Sequence, residues 1–191
     1  MCLNDADFKK LLSLSVYLNK IKKEKTMNDE KKQEEVSSQD GQYLTFNIAE
    51  QEYGIEIRHV TEIVGIQKIT NLPDIPQFIK GVINLRGNVI PVLDVRLRFG
   101  MKERDYDERT CIMVININES SVGLIVDTVS EVLTIGKESI EAPPKLGNNR
   151  FVRGFGKIEN EVKILLDTQK LLFGDELKQI ADAMAKKEIL N

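Results

Sequence analysis

Residues 43 to 100 recur, in pattern, as residues 112 to 174. At an offset of 69, Leu44-Thr45-Phe46-Asn47-Ile48 falls on Met113-Val114-Ile115-Asn116-Ile117, and Tyr53-Gly54-Ile55 on Val122-Gly123-Leu124. The same offset lays Val60-Thr61-Glu62-Ile63 on Val129-Ser130-Glu131-Val132. An insertion of four residues near Pro143-Pro144 moves the offset to 73, and Phe78-Ile79-Lys80-Gly81 then falls on Phe151-Val152-Arg153-Gly154. Val92-Leu93-Asp94 likewise falls on Leu165-Leu166-Asp167, and both copies close on Phe-Gly, at Phe99-Gly100 and Phe173-Gly174. A period near 70 residues is too long for a solenoid unit. The chain therefore reads as two copies of one small domain. A domain of about 60 residues buries only about 60% of its unfolded surface. The copies are thus expected to share an interface with a core of its own. Positions where the copies agree serve the fold, and positions where they differ are where function is sought.

The remaining bulk numbers exclude more than they specify. Of 191 residues, 41% are hydrophobic and 30% charged, as in an ordinary soluble globular protein. The net charge of −3 argues against nucleic acid and anionic membranes as partners. Two cysteines, Cys2 and Cys111, make no disulfide framework and fit a reducing cytosol. Lys9-Lys10 before Leu11 to Leu18 imitates a signal peptide, but Asp5, Asp7 and the run Asn19-Lys20-Ile21-Lys22-Lys23 spoil it. No stretch reaches the roughly 20 apolar residues of a membrane-spanning helix. Two readings of residues 1–26 stand side by side: a loosely amphipathic helix through Phe8, Leu11, Leu12, Leu14, Leu18 and Ile21, or a natural start at Met27. Residues 28–40 have almost nothing to bury and are expected to be a disordered lead-in.

Strand signals dominate the copies. Leu44, Phe46 and Ile48 alternate with Tyr43, Thr45 and Asn47, and Met113, Ile115 and Ile117 repeat that period of two. A second strand follows each polar turn. Short helical stretches are expected near Arg58 to Val64 and Asp127 to Leu133, then third strands near Ile66 to Ile69 and around Thr134-Ile135. Loops with Pro73 and Pro76, or Pro143 and Pro144, lead to hairpins whose turns hold Arg86-Gly87-Asn88 and Glu159-Asn160-Glu161. Pro91 is expected on an edge or in a non-bonded slot. Asp94 and Asp167 end the hairpins as helix N-caps. The expected fold is all-β: two small SH3-like five-stranded β-barrels related by a pseudo-twofold repeat, with short helices and a C-terminal helix. The divisions are an N-terminal extension 1–41, a first barrel 42–105, a second barrel 106–174 and a helix 175–191 carrying Leu177, Ile180, Ala181 and Met184 on one face.

The chain is poor in catalytic groups. His59 is the single histidine, faces Thr128 across the repeat, and is expected at the surface. Cys111 lies in an alternating strand and is expected to be buried and inert. There is no nucleophile elbow, P-loop or dinucleotide fingerprint. Arg153-Gly154-Phe155-Gly156 lacks the strand-to-helix setting of a phosphate cradle, and the cysteine and histidine count gives a zinc site little support. The chain reads as a non-enzyme with neither cofactor nor metal.

Asymmetry between the copies is more informative. Arg86 tips one hairpin where the other has Glu159, and folding the hairpin does not require it. It is either a solvated turn residue or an interface arginine. Val60, Ile63, Val129 and Val132 are related by the repeat. They either fill the two barrel cores or line a groove at the junction that accepts a partner helix, flanked by Glu62 and Glu131. Arg96, Arg98, Lys102 and Arg104, mixed with Glu103, Asp105, Asp107 and Glu108, read as a solvated linker. Two rival classes stay open: a nucleic-acid-binding barrel pair, which needs stacking aromatics and a basic groove, and an enzyme built on scattered carboxylates.

The run Phe78-Ile79-Lys80-Gly81-Val82-Ile83-Asn84-Leu85-Arg86-Gly87-Asn88-Val89-Ile90-Pro91-Val92-Leu93-Asp94 resembles the chemotaxis coupling-protein family CheW. Glu52 to Ile57, Val122 to Asp127 and Val129 to Leu133 add to the likeness, which runs from about Gln42 to Phe173. The resemblance implies a double barrel and a non-catalytic cytoplasmic adaptor. Such an adaptor joins the cytoplasmic hairpin tips of membrane-bound chemoreceptors to the regulatory domain of the histidine kinase CheA. Carried onto this chain, it implies receptor contact at Val60, Glu62, Arg86, Gly123, Val129 and Val132, with Ile63 beside them in the groove. It places Ile69 and Gly81 on the kinase-facing side.

Overall fold

The computed structural model describes residues 40–117, 120–144, 150–171 and 176. The expectations for residues 1–39, Cys2 and Met27 included, and, apart from Glu176, for a helix over 175–191 lie outside the described residues.

Among the described residues, eleven strands and two short α-helices follow in order. The first half gives β1 (Gln42–Ile48), β2 (Gln51–Glu56), β3 (Val60–Gly65), β4 (Ile79–Leu85), β5 (Asn88–Asp94) and α1 (Val95–Arg98). The second gives β6 (Cys111–Ile117), β7 (Ser120–Val126), β8 (Thr128–Thr134), β9 (Ile140–Glu141), β10 (Val152–Ile158), β11 (Glu161–Leu166) and α2 (Thr168–Leu171). The strands form two sheets, β8-β1-β2-β11-β10-β9 and β3-β6-β7-β5-β4. The chain is all-β with few short helices, as expected; where two five-stranded barrels were expected, the strands form one six-stranded and one five-stranded sheet, the short β9 being the added strand.

The sheets are not divided as the sequence is. The expected boundary between residues 42–105 and 106–174 assigns one copy to each barrel, whereas each sheet draws strands from both copies. The first sheet combines β1 and β2 with β8 to β11, and the second combines β3 to β5 with β6 and β7. The repeat still maps one sheet onto the other. The parallel pairing of Val92 with Gly123 (β5–β7) is matched by that of Leu165 with Gly54 (β11–β2). β2 runs into β3 through the 3-10 turn Ile57–His59, and β7 runs into β8 through Asp127 alone, so neither connection is a hairpin. At both places the chain crosses into the other sheet.

This exchange makes the junction the main core. Leu44, Phe46 and Ile48 of β1 pack in one cluster with Met113, Ile115 and Ile117 of β6, Val60 and Ile63 of β3, and Ile79 and Leu93 of the β4–β5 hairpin. The opposite faces supply two smaller clusters, Ile83, Ile90, Val92, Ile112, Val114 and Ile125 in one sheet and Tyr43, Ile135 and Leu165 in the other. The expected shared interface with its own core is present, and it is the largest apolar cluster of the described residues.

Several local expectations change. Residues 60–65 and 128–134 are strands, not helical stretches, and Ile66–Ile69 forms no strand; only Thr70 bridges to Val82. The first hairpin turn is Arg86-Gly87 alone, because Leu85 already pairs with Asn88. Both turn residues have positive φ, 53° and 89°, as a two-residue turn matched to strand twist requires. The Asn84 side chain accepts from the Gly87 amide at 2.8 Å and props the turn. Counting from the turn, Pro91 opposite Val82 falls in a non-hydrogen-bonded slot, and Val82 bonds outward to Thr70 instead. Asp94 caps α1 by accepting from Leu97 N, and Asp167 accepts from Gln169 N ahead of α2.

Candidate functional site: bulged strands at the junction

Val60 and Ile63 are three residues apart, as are Val129 and Val132. In a regular strand an odd spacing sends side chains to opposite faces. Here both pairs point the same way, because each strand carries a β-bulge. In β3 the register shifts between Val60 and Glu62, and the extra residue is Thr61. In β8, Ser130 and Glu131 stand opposite the single residue Thr45. Three-residue spacing is also the helical signature, which is why the sequence suggested helices at these two places.

The bulges turn each of the two pairs toward the junction core. Val60 and Ile63 are 7% and 6% exposed and belong to the junction core. Val129 and Val132 are half-buried and pack against the same cluster. Glu62 turns outward, and its carboxylate meets the Arg86 guanidinium at 2.5 Å. That ion pair ties the β4–β5 hairpin tip to β3. The arginine is 72% exposed while the glutamate is 16% exposed, so the pair presents its cation outward. Glu131, the repeat partner of Glu62, is exposed.

Gly123 is not on this surface. It is buried in β7 between β6 and β5, and a Cβ there would come within 2.7 Å of Ile112 Cγ2 and 2.8 Å of Val92 Cγ1. Its side faces the interior of its sheet, so substitution displaces core side chains instead of touching a partner. Ile69 and Gly81 lie together elsewhere, where Thr70 bridges to β4. Gly81 has φ 133°, and a Cβ would lie 2.2 Å from the Thr70 carbonyl oxygen. Only glycine fits there.

The groups weighed for chemistry have other partners. His59 is half-buried, and its Nε2 lies 3.3 Å from Glu56 Oε2. Arg58 reaches the same carboxylate at 2.6 Å, and Arg153 reaches its other oxygen across the sheet. The His59 hydrogen bond leads in holding the Glu56 carboxyl down to about 2; Arg153 and Arg58 assist, against the cost of burial. This cluster was not read from the sequence, since its members lie up to 97 residues apart. Cys111 is 2% exposed and its thiol donates to the Arg109 carbonyl at 3.1 Å. Lys163 is buried between Glu52 and Glu161. The linker is exposed at Lys102 to Asp105 and at Glu108, as expected, but it is also strapped down: Tyr106 donates to Asp94 at 2.9 Å, and Arg96 and Arg104 both reach Asp127. Its first part is more buried still, for Arg98 stacks 4.2 Å over Phe78 and forks onto Glu176 at 2.8 Å. A cleft of about 420 Å³ beside it is lined by Tyr53, Phe99, Phe151 and Ile164. Among the described residues no group of three or more His, Cys, Asp or Glu is placed to hold a metal, and no helix is long and apolar enough to cross a membrane.

Two interleaved sheets over a shared core, with half-buried valines on β8 and an arginine-tipped hairpin braced to β3, make a scaffold of the protein-interaction class. A family model described as a CheW-like domain matches residues 42–176. The chemotaxis protein CheW of Klebsiella aerogenes is 37% identical over 148 residues, 76% of this chain and 89% of that protein. CheW of Bacillus subtilis is 37% identical over 132 residues, 68% of this chain and 85% of its own. The crystal structure of the scaffolding protein TtCheW from Thermoanaerobacter tengcongensis matches with a TM-score of 0.67 at 37% identity, covering 71% of this chain and 94% of that one. The chain belongs to the CheW family. It is a non-catalytic adaptor of chemotaxis signalling.

Proposed function

We propose that this adaptor couples the cytoplasmic hairpin tips of chemoreceptors to the regulatory domain of the kinase CheA, and so works at membrane-bound receptor arrays. The receptor helix docks on the bulged strands. Val129 and Val132 give the apolar contact, Val60 and Ile63 support them from the core, and Glu62 with Arg86 closes the polar edge. An amphipathic helix laid into an apolar groove with a charged rim is a recurrent recognition mode. The kinase domain docks on the separate surface around Ile69 and Gly81. Gly123 acts through the packing of β7.

The observation that carries this reading is the Glu62–Arg86 pair beside the bulged strands. It is a polar device the second hairpin lacks, since Glu159 replaces the arginine. Each interface is modest, and repetition across an array supplies the effective affinity. Co-sedimentation with receptor-bearing membranes, with and without the kinase, tests it. Capture by receptors alone and by kinase alone, each lost through a different set of substitutions, is the expected result. A single set that abolishes both would contradict two separate surfaces.

A further inference from the structure

The two bulges are repeat-related but pinned differently. In β3 the bulged residue holds itself: Thr61 Oγ1 donates to the Val114 carbonyl of β6 at 3.0 Å. In β8 the equivalent hydroxyl, Ser130 Oγ, turns away to Asn47 Oδ1 at 2.8 Å. The pin comes from the partner strand instead. Thr45 of β1 is fully buried, and its hydroxyl donates to the Glu131 carbonyl at 3.0 Å and accepts from the Glu131 amide at 3.2 Å. One side chain thus satisfies both backbone groups that the bulge removes from the ladder. Its repeat partner is Val114, which has no hydroxyl to offer. Phe46 pairs with Val129 on one side of Thr45, and Leu44 with Val132 on the other. The register around Thr45 therefore decides whether the two valines share a face.

We propose that Thr45 is a positioning residue for the β8 half of the receptor-docking surface. Its hydroxyl fixes the bulge that sets Val129 and Val132 side by side. Thr45 touches no partner itself and acts through Glu131. The inference rests on the reading of Val129 and Val132 as receptor contacts.

Thr45→Val keeps the shape and removes the hydroxyl, and Thr45→Ser keeps the hydroxyl. Three readouts apply: hydrogen exchange at the Glu131 amide, capture by receptor-bearing membranes, and capture by the kinase. Thr45→Val is expected to speed exchange at Glu131 about tenfold and to weaken receptor capture about fivefold, as loss of one buried hydrogen bond allows. Kinase capture stays unchanged, and Thr45→Ser behaves as wild type in all three. Wild-type receptor capture by Thr45→Val, equal loss of both partners, or failure of Thr45→Ser to rescue overturns the proposal. If Thr45→Val does not fold, Thr45→Cys, with a weaker donor, is read in the same assays, expecting smaller changes of the same sign. Arg86→Glu and Val129→Lys run in parallel. If they capture receptors normally, the docking reading fails and Thr45 falls with it. If they lose receptors while Thr45→Val does not, the positioning role alone is wrong.

Discussion

Reversing the charge at Arg86 separates partner contact from folding. The residue sits at φ 53°, a conformation that L side chains rarely adopt. The equivalent position of the second hairpin already holds a glutamate at φ 51°, so Arg86→Glu brings no new backbone requirement. What changes is the pair with Glu62. An exposed ion pair contributes about 0.2–1 kcal/mol, and a like-charge pair opposes folding by a similar amount. Arg86→Glu should therefore cost roughly 1 kcal/mol in stability, a fall of about 2–4 °C in melting temperature for a chain of this size. An interface arginine with its fork directed at a partner typically contributes about 2 kcal/mol or more to binding, which is roughly thirtyfold. Receptor capture should then be nearly abolished at concentrations where the wild type is half-bound, while kinase capture and circular dichroism persist. The double reversal Glu62→Arg with Arg86→Glu sharpens the test. It restores the ion pair and the melting temperature but should not restore receptor capture, because the cation now sits on the strand and not at the tip. Full recovery by the double variant would mean that Arg86 only braces the hairpin. Equal loss of both partners would undo the separation of surfaces.

Three further outcomes follow from the same geometry. Cutting the chain between Asp105 and Tyr106 should leave two fragments that fail to fold alone and regain the native circular dichroism when mixed, because each sheet needs strands from both; an independently folded half would contradict the interleaved topology. Gly81→Ala should cost about 2 kcal/mol or more in denaturant unfolding, since its φ of 133° and a Cβ 2.2 Å from the Thr70 oxygen leave no relaxed position; an unchanged midpoint would refute the close approach. Glu56, held at about 2 in the folded chain against an ordinary value of 4.5, takes up its proton more readily when unfolded. The stability it contributes is present above pH about 4.5 and is lost as pH falls toward 2, so Glu56→Gln should flatten acid unfolding over that window; parallel pH profiles would refute the His59, Arg153 and Arg58 cluster as the cause.

The sequence by itself determined the duplication, the strand-rich character and the identity of the facing residues. The alternation of Leu44, Phe46 and Ile48, matched by Met113, Ile115 and Ile117, is enough to give two strands of one kind, and all six side chains are buried in the junction core. The asymmetry of Arg86 against Glu159 was also legible, because a repeat supplies its own control. Tertiary structure alone decided which copy completes which sheet. Period-two patterning says which face is apolar, but β1 satisfies it equally well beside β8 or β3, and it is the assembled sheet that sets β8 beside it. The bulges were hidden for a related reason. A three-residue spacing of valines fits one turn of helix or a strand with one extra residue, and the choice depends on the neighbouring strand that supplies the ladder. The Glu56 cluster and the Thr45 pin join groups 97 and 86 residues apart. Contacts at such separations leave no local pattern in a single chain, and they exist only once the exchanged strands have brought the two copies together.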